Sequence, residues 1–165
     1  MKVLKRQPNS HKCLICGLDN PYGVKASFYE MEDNSVVSIF KYESNHQSYP
    51  ERTHGGMIAS MLDEIIGRAI WVYEPEAWGV TIDINVKYRK PVPYDTELMA
   101  IGVIKKNSSR VFTGFGKICD MEGVVLATAE ATYLKLPLDK ISTATHEDVD
   151  FTLPNDRESI EINNN

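Results

Sequence analysis

The chain has 165 residues, a formal net charge of −5 and three cysteines. That length suits one domain burying close to ~70% of its unfolded surface, and the interspersed acids and bases give no field favouring nucleic acid or an anionic membrane. No stretch approaches the ~18 apolar residues of a membrane span, the basic start has no apolar segment behind it, and an odd cysteine count makes no disulfide framework; a cytoplasmic protein with reduced thiols is expected.

In chain order, residues 1–12 carry charge and Pro8-Asn9-Ser10 without periodicity, which predicts a flexible arm. Cys13 and Cys16, with His11 nearby, make half of a zinc site. No second Cys/His pair follows at zinc-site spacing and Cys119 stands alone, so no metal is expected, and added zinc or a chelator is expected to leave activity unchanged. A redox pair is no better supported, because this Cys-x-x-Cys runs into Gly17, Asn20-Pro21 and Gly23 rather than into a helix. Residues 26–30 and 35–42 have strand character and are divided by the turn-like Glu32-Asp33-Asn34. A polar loop over residues 44–53 then delivers the chain to His54-Gly55-Gly56.

Helical spacing runs from Met57 to about Tyr73, where Pro75 stops it. With Leu62 as origin and about 100° per residue, Ile58, Ile65, Ile66 and Ala69 fall within roughly 60° and define the core face. Asp63 sits about 100° round, at the border of that face, while Glu64 sits about 200° round and is expected to meet water. A carboxylate beside a core needs compensation. Upstream, Gly55 and Gly56 leave the backbone approachable where the first N–H groups of the helix are unpaired and the dipole is positive, which suits a carbonyl gaining negative charge.

Val80, Ile82, Ile84, Val86 and Tyr88 alternate with polar residues and predict a half-buried strand. Strict alternation puts Thr81 on the opposite face; for Thr81 to join Asp63, the strand must bend after Gly79 or face a subunit boundary. Strands over 97–105, 110–120 and 124–136 complete a meander, and from Pro137 the chain is polar and acidic, a composition that predicts a disordered tail over 137–165. One long helix with five or six antiparallel strands is an α+β layout, with the domain over 13–136.

Three blocks in order, Cys13-Leu14-Ile15-Cys16-Gly17 with Asn20-Pro21-Tyr22-Gly23, then His54-Gly55-Gly56 with Asp63, then Val80-Thr81-Ile82-Asp83 to Lys90-Pro91, resemble the hotdog-fold acyl-CoA thioesterases of the phenylacetate-pathway (PaaI-like) type, whose motif is HGG-x6-D. The resemblance covers residues 11 to 135. It implies a central helix wrapped by an antiparallel sheet, an acyl-CoA or aryl-acyl-CoA substrate with no further cofactor, and a homodimer or homotetramer whose active sites lie between subunits. Carried over, Gly55 N–H polarises the thioester carbonyl, Asp63 of the other subunit is general base or nucleophile, and Thr81 holds the water or orients the acid. His54 and Gly56 shape the helix start. Gln47 or His46 is the candidate for a second carbonyl contact, and Arg89, Lys90 and Arg110 are candidates for the CoA phosphates. A non-catalytic acyl-CoA-binding protein or sensor is the rival, since it keeps the glycine site without needing Asp63 and Thr81 together. Hotdog hydratases are a third reading, but their His-based motifs are not evident near the helix.

Overall fold

The helix dictates the rest of the architecture, because its apolar face is too wide to leave in water. In the computed structural model, which describes residues 1–143 and 150–163, the chain runs β1 (Val3–Arg6), β2 (Asn9–Ser10), β3 (Tyr29–Met31), β4 (Val36–Lys41), β5 (Gln47–Tyr49), β6 (Arg52–Thr53), α1 (Gly55–Arg68), β7 (Trp78–Tyr88), β8 (Glu97–Asn107), β9 (Val111–Asp120), β10 (Val125–Leu136), α2 (Leu138–Ile141) and β11 (Asp150–Phe151). Seven of these strands form one antiparallel sheet in the order β1-β3-β4-β8-β9-β10-β7. This is the α+β hotdog layout, with a larger sheet than the sequence pattern indicated.

Helix α1 lies across the middle of the sheet and buries Ile58, Met61, Leu62, Ile65 and Ile66. Its approach is close because the strands beneath it carry glycine where it crosses them. A Cβ on Gly102 would strike the Ile65 carbonyl, and one on Gly116 would lie 2.8 Å from Ile66 Cγ1. Alanine there has nowhere to go. The helix is opened by His54, whose side chain accepts a hydrogen bond from Gly56 N–H at 2.9 Å, and a 3-10 turn over Ala69–Val72 closes it.

The other face of the sheet holds a second apolar cluster of Val3, Tyr29, Met31, Val37, Met99, Cys119 and Ile160. Here the structure differs from the expectation of an irregular arm and tail. Residues of the arm form β1, which pairs with β3, and β2, which pairs with β11. The described tail residues lie over them. Ile160 is buried and Ile162 packs beside it, Val3 N–H donates to the Glu158 carbonyl and Ile160 N–H to the Met1 carbonyl, both at 2.9 Å, and Arg6 pairs with Asp156 at 3.0 Å. The physical reason is that Val3, Val37 and Met99 would otherwise face water, and two isoleucines spaced by two cover them. Residues 144–149 and 164–165 of the expected tail lie outside the described residues.

Truncation after residue 144 therefore should not be silent. Removing the cover over this cluster exposes Val3, Met31 and Met99 and leaves Val3 N–H without the Glu158 carbonyl, so a loss on the order of 2–3 kcal/mol is expected. Thermal unfolding should show this as a drop of roughly 4–12 °C; an unchanged melting temperature would refute the docking role.

Candidate active site

Asp63 is carried on the third turn of α1, at the border of the core face where the wheel places it, and is only partly exposed. Thr81 Oγ1 donates to Asp63 Oδ1 at 2.8 Å. Tyr133 Oη lies 3.0 Å from the same oxygen and 2.8 Å from the Asp63 main-chain carbonyl. Two hydroxyls thus anchor Oδ1, while among the described residues no hydrogen bond is recorded to Oδ2. Burial raises the Asp63 carboxyl above the ordinary aspartate range; Thr81 and Tyr133 oppose that rise by stabilising the anion, and neighbouring Glu64 adds to it. Burial also raises the Tyr133 phenol, with Asp63 adding to the effect, so Tyr133 stays a hydrogen-bond donor at neutral pH.

The meeting of Thr81 with Asp63 depends on a β-bulge. Along β7 and β10 the partners run Thr132 with Asp83 and then Tyr133 with Thr81, so Ile82 is left over. Before that point Gly79 and Thr81 face the helix side: a Cβ on Gly79 would lie 2.7 Å from the Phe112 ring. After it, Ile84 and Val86 pack on the core, and Tyr88 Oη donates to the Gly55 carbonyl at 2.9 Å. Ile82 itself is 59% exposed. The extra residue changes the phase of the strand by one, so both the apolar alternation and the Thr81 contact are satisfied within one chain. Tyr133 was not singled out in the sequence, because a tyrosine on a long alternating strand looks like core.

Around Asp63 lies a cavity of about 460 Å³, with Trp71, Trp78, Gly79 and Thr81 on one side and Cys13, Cys16 and Glu64 on another. Trp71 and Trp78 meet edge to face, 5.4 Å apart, and Trp71 Nε1 donates to the Ala77 carbonyl at 2.7 Å, which fixes an aromatic wall. Glu64 does not face water as the wheel indicated. It pairs with the buried Arg68 at 2.7 Å, because the segment around Cys13 folds over that side of the helix. Cys16 is lowered to about 7, chiefly by the hydrogen bond from the Cys13 thiol, and Cys13, which keeps the proton, is raised.

The helix start lies elsewhere. Gly55 lines a second cavity of about 360 Å³ together with Arg52, Tyr88, Arg89 and Lys90, and Asp63 lies eight steps further along the helix, a distance of about 12 Å. Arg89 and Lys90, the candidates for the CoA phosphates, are thus beside Gly55. Arg110 sits in the exposed turn between β8 and β9, away from both cavities. Gln47 is exposed on β5, with Tyr94 Oη 3.5 Å from its Oε1. His46 is turned inward: its Nδ1 accepts from Glu43 N–H at 3.0 Å and its Nε2 donates to the Tyr22 carbonyl at 2.8 Å, which commits both ring nitrogens to the fold. Of the two candidates for a second carbonyl contact, Gln47 alone remains available.

The chain is similar to known proteins in sequence and in fold. Residues 52–127 match the family model described as the thioesterase superfamily. The chain is 29% identical over 114 residues to acyl-coenzyme A thioesterase THEM4 of Mus musculus, covering 69% of this chain and 48% of that protein. It is 25% identical over 109 residues to acyl-coenzyme A thioesterase 13 of Homo sapiens, covering 66% and 78%. The chain thus spans about half the length of the THEM4 relatives it matches. Among solved structures, a thioesterase superfamily protein superposes with a TM-score of 0.68 at 25% identity, covering 75% of this chain and 60% of that one. Zebrafish thioesterase superfamily member 2 gives 0.61 at 23% identity, covering 67% and 80%. Among the described residues no helix is long and apolar enough to cross a membrane. Residues 52–127, the helix and the strands that receive it, are thus similar to the thioesterase superfamily, and the chain has the hotdog fold of the solved structures it superposes on.

Proposed function

We propose that the chain hydrolyses the thioester of an acyl- or aryl-acyl-CoA to the free acid and CoA, in the manner of the PaaI-like enzymes, with Asp63 as general base or nucleophile. The observation that carries this reading is the Asp63 carboxylate at the edge of a cavity, held by Thr81 and Tyr133 through one oxygen so that the other is left for chemistry. As a base, Oδ2 takes the proton of a water that attacks the carbonyl; as a nucleophile, Oδ2 attacks the carbonyl itself and water later cleaves the anhydride. Either route expels the CoA thiolate, and either needs a donor for the oxyanion. Gly55 N–H, at the positive end of the helix, is that donor.

The donor and the acid are too far apart within one chain to meet on one carbonyl, which supports a site shared between subunits of a homodimer or homotetramer. Strand β7 supports the same conclusion. It is an eleven-residue edge strand, paired only with β10 among the described strands, with Ile82 59% and Tyr88 55% exposed. A long apolar edge of that kind calls for a partner.

The test is an acyl-CoA panel assayed by release of free thiol, run on the parent chain and on two variants. Gly55→Pro removes the N–H at a position where proline fits a helix, and Asp63→Asn removes the charge. Each alone should be inactive, and mixing them with subunit exchange should restore part of the activity by creating sites that keep both groups. No recovery on mixing would refute the shared site, and tight acyl-CoA binding without hydrolysis by the parent would replace the enzyme with a sensor.

A further inference from the structure

Cys13, Cys16 and Glu64 form a cluster that the hydrolytic reading does not use. Their two sulfurs and a carboxylate oxygen all lie within 4.8 Å of one another, with Cys13 Sγ 3.9 Å from Glu64 Oε2. The turn that carries the cysteines is built around the first sulfur. Ile15 and Cys16 N–H groups donate to Cys13 Sγ at 3.3 and 3.4 Å, and Gly17 N–H donates to the Cys13 carbonyl at 2.9 Å. A Cβ on Gly17 would come within 2.6 Å of Cys13 N, so the turn requires glycine there. Two N–H groups aimed at one sulfur favour its thiolate once a cation has displaced the thiol proton.

The carboxylate is oriented from behind. Arg68 Nε donates to Glu64 Oε1 at 2.7 Å, which leaves Oε2 towards the sulfurs. Arg68 is itself fixed: its guanidinium lies 4.4 Å from the centre of the Phe28 ring and 5.0 Å from that of Trp71, and Nη1 donates to the Pro8 carbonyl at 3.0 Å. An outer partner that fixes a ligand's geometry in this way is usual for metal sites. The charges also close. Two thiolates and a carboxylate carry three negative charges against the one positive charge of Arg68, and a divalent cation brings the cluster to neutrality, which a buried group of charges requires. Zinc-to-sulfur and zinc-to-oxygen lengths put neighbouring tetrahedral donors roughly 3.5–3.8 Å apart, close to the spacing of Cys13 and Glu64. Thiolates select zinc-class ions over magnesium or calcium.

We propose that Cys13, Cys16 and Glu64 bind one zinc-class divalent cation, clipping the N-terminal turn to the helix that carries Asp63. Binding sends the two thiol protons to solvent, and water fills the fourth position. The expectation of no metal counted only Cys and His; the third ligand is a carboxylate that reaches the pair through the fold. Since all three ligands line the same cavity as Asp63, the ion would hold that wall in place.

The test uses the full chain, reduced and freed of metal, titrated with Co²⁺ alone and then with Zn²⁺ against a chromogenic chelator. One cobalt per chain should bind with a thiolate-to-cobalt charge-transfer absorption, and zinc should displace it and raise the melting temperature. Cys16→Ser should remove about half of that absorption per bound cobalt, as the loss of one of two thiolates. Glu64→Gln keeps an acceptor for Arg68, so it should fold, retain the thiolate absorption and bind cobalt at least about tenfold more weakly. Should the cysteine variant fail to fold, the parent titration and Glu64→Gln decide the matter. Absence of the thiolate absorption, unchanged affinity in Glu64→Gln, or a Cys13–Cys16 disulfide protein that takes up no cobalt after reduction would overturn the proposal. None of these readouts involves hydrolysis, so the metal site and the thioesterase reading fail separately.

Discussion

Replacing Asp63 with asparagine should abolish hydrolysis while leaving the fold intact, with acyl-CoA turnover falling by at least ~10², the lower end for a positioned base. The geometry makes this a clean substitution. Asparagine Oδ1 still accepts from Thr81 and Tyr133, and its amide nitrogen takes the place of the oxygen without a recorded hydrogen bond, so only charge and basicity are lost. The same substitution should raise the melting temperature at neutral pH. Burial raises the Asp63 carboxyl above its unfolded value, so the folded state favours the protonated form: its contribution is fully present below the unfolded value near 3.8 and is lost as pH rises through the folded one. The stability advantage of asparagine should accordingly appear near neutrality and vanish in acid. Parallel melting curves of parent and variant at the two pH values measure it; a variant that melts lower at neutral pH would show that the anion stabilises the fold, and one that still hydrolyses acyl-CoA would remove Asp63 from the chemistry.

Gly102→Ala should destabilise the fold strongly. The added Cβ meets the Ile65 carbonyl, which is backbone in the last turn of α1, so relief requires that end of the helix to lift from the sheet. Overpacking of this kind typically costs 1–3 kcal/mol, and with main chain as the obstacle about 3 kcal/mol is expected, or roughly 6–12 °C for a domain of this size. Lifting the helix also draws Asp63 from Thr81 and Tyr133, so kcat should fall with stability. A melting temperature within a degree or two of the parent would show that the helix can shift freely.

What could be read before the structure was known follows from the range of the interactions. The helix and its phase were legible, since Ile58, Leu62, Ile65 and Ile66 repeat at the helical period, and Asp63 lies on the border where that period puts it. The strands from Trp78 to Leu136 were legible from alternation and turn residues. The bulge was not, because Val80, Ile82, Ile84 and Val86 alternate straight through it; only pairing with β10 shows that Ile82 is the extra residue. Glu64 was misplaced because a helical wheel knows one helix and not the segment around Cys13 that covers it. His46 failed as a site candidate for a similar reason, its ring being claimed by backbone groups at Glu43 and Tyr22. The docking of the tail did leave a faint local signal, Ile160 and Ile162 at strand spacing in an otherwise polar run, but its meaning depends on Val3 and Met31 more than a hundred residues away.

The leftover residue at Ile82 divides one strand into two reading frames. Upstream of it, odd-numbered positions look at the helix and carry the chemistry; downstream, even-numbered positions do so and carry the packing. The side chain at the junction is exposed, so its identity has little to do with the fold, whereas its exclusion from the ladder sets the phase of everything before it. Removing that residue would join Thr81 to Asp83 in ordinary alternation, still opposite Tyr133 and facing Asp63, whereas pairing it into the ladder would turn Thr81 away. At this position what matters is that the residue stays out of the ladder, not which residue it is.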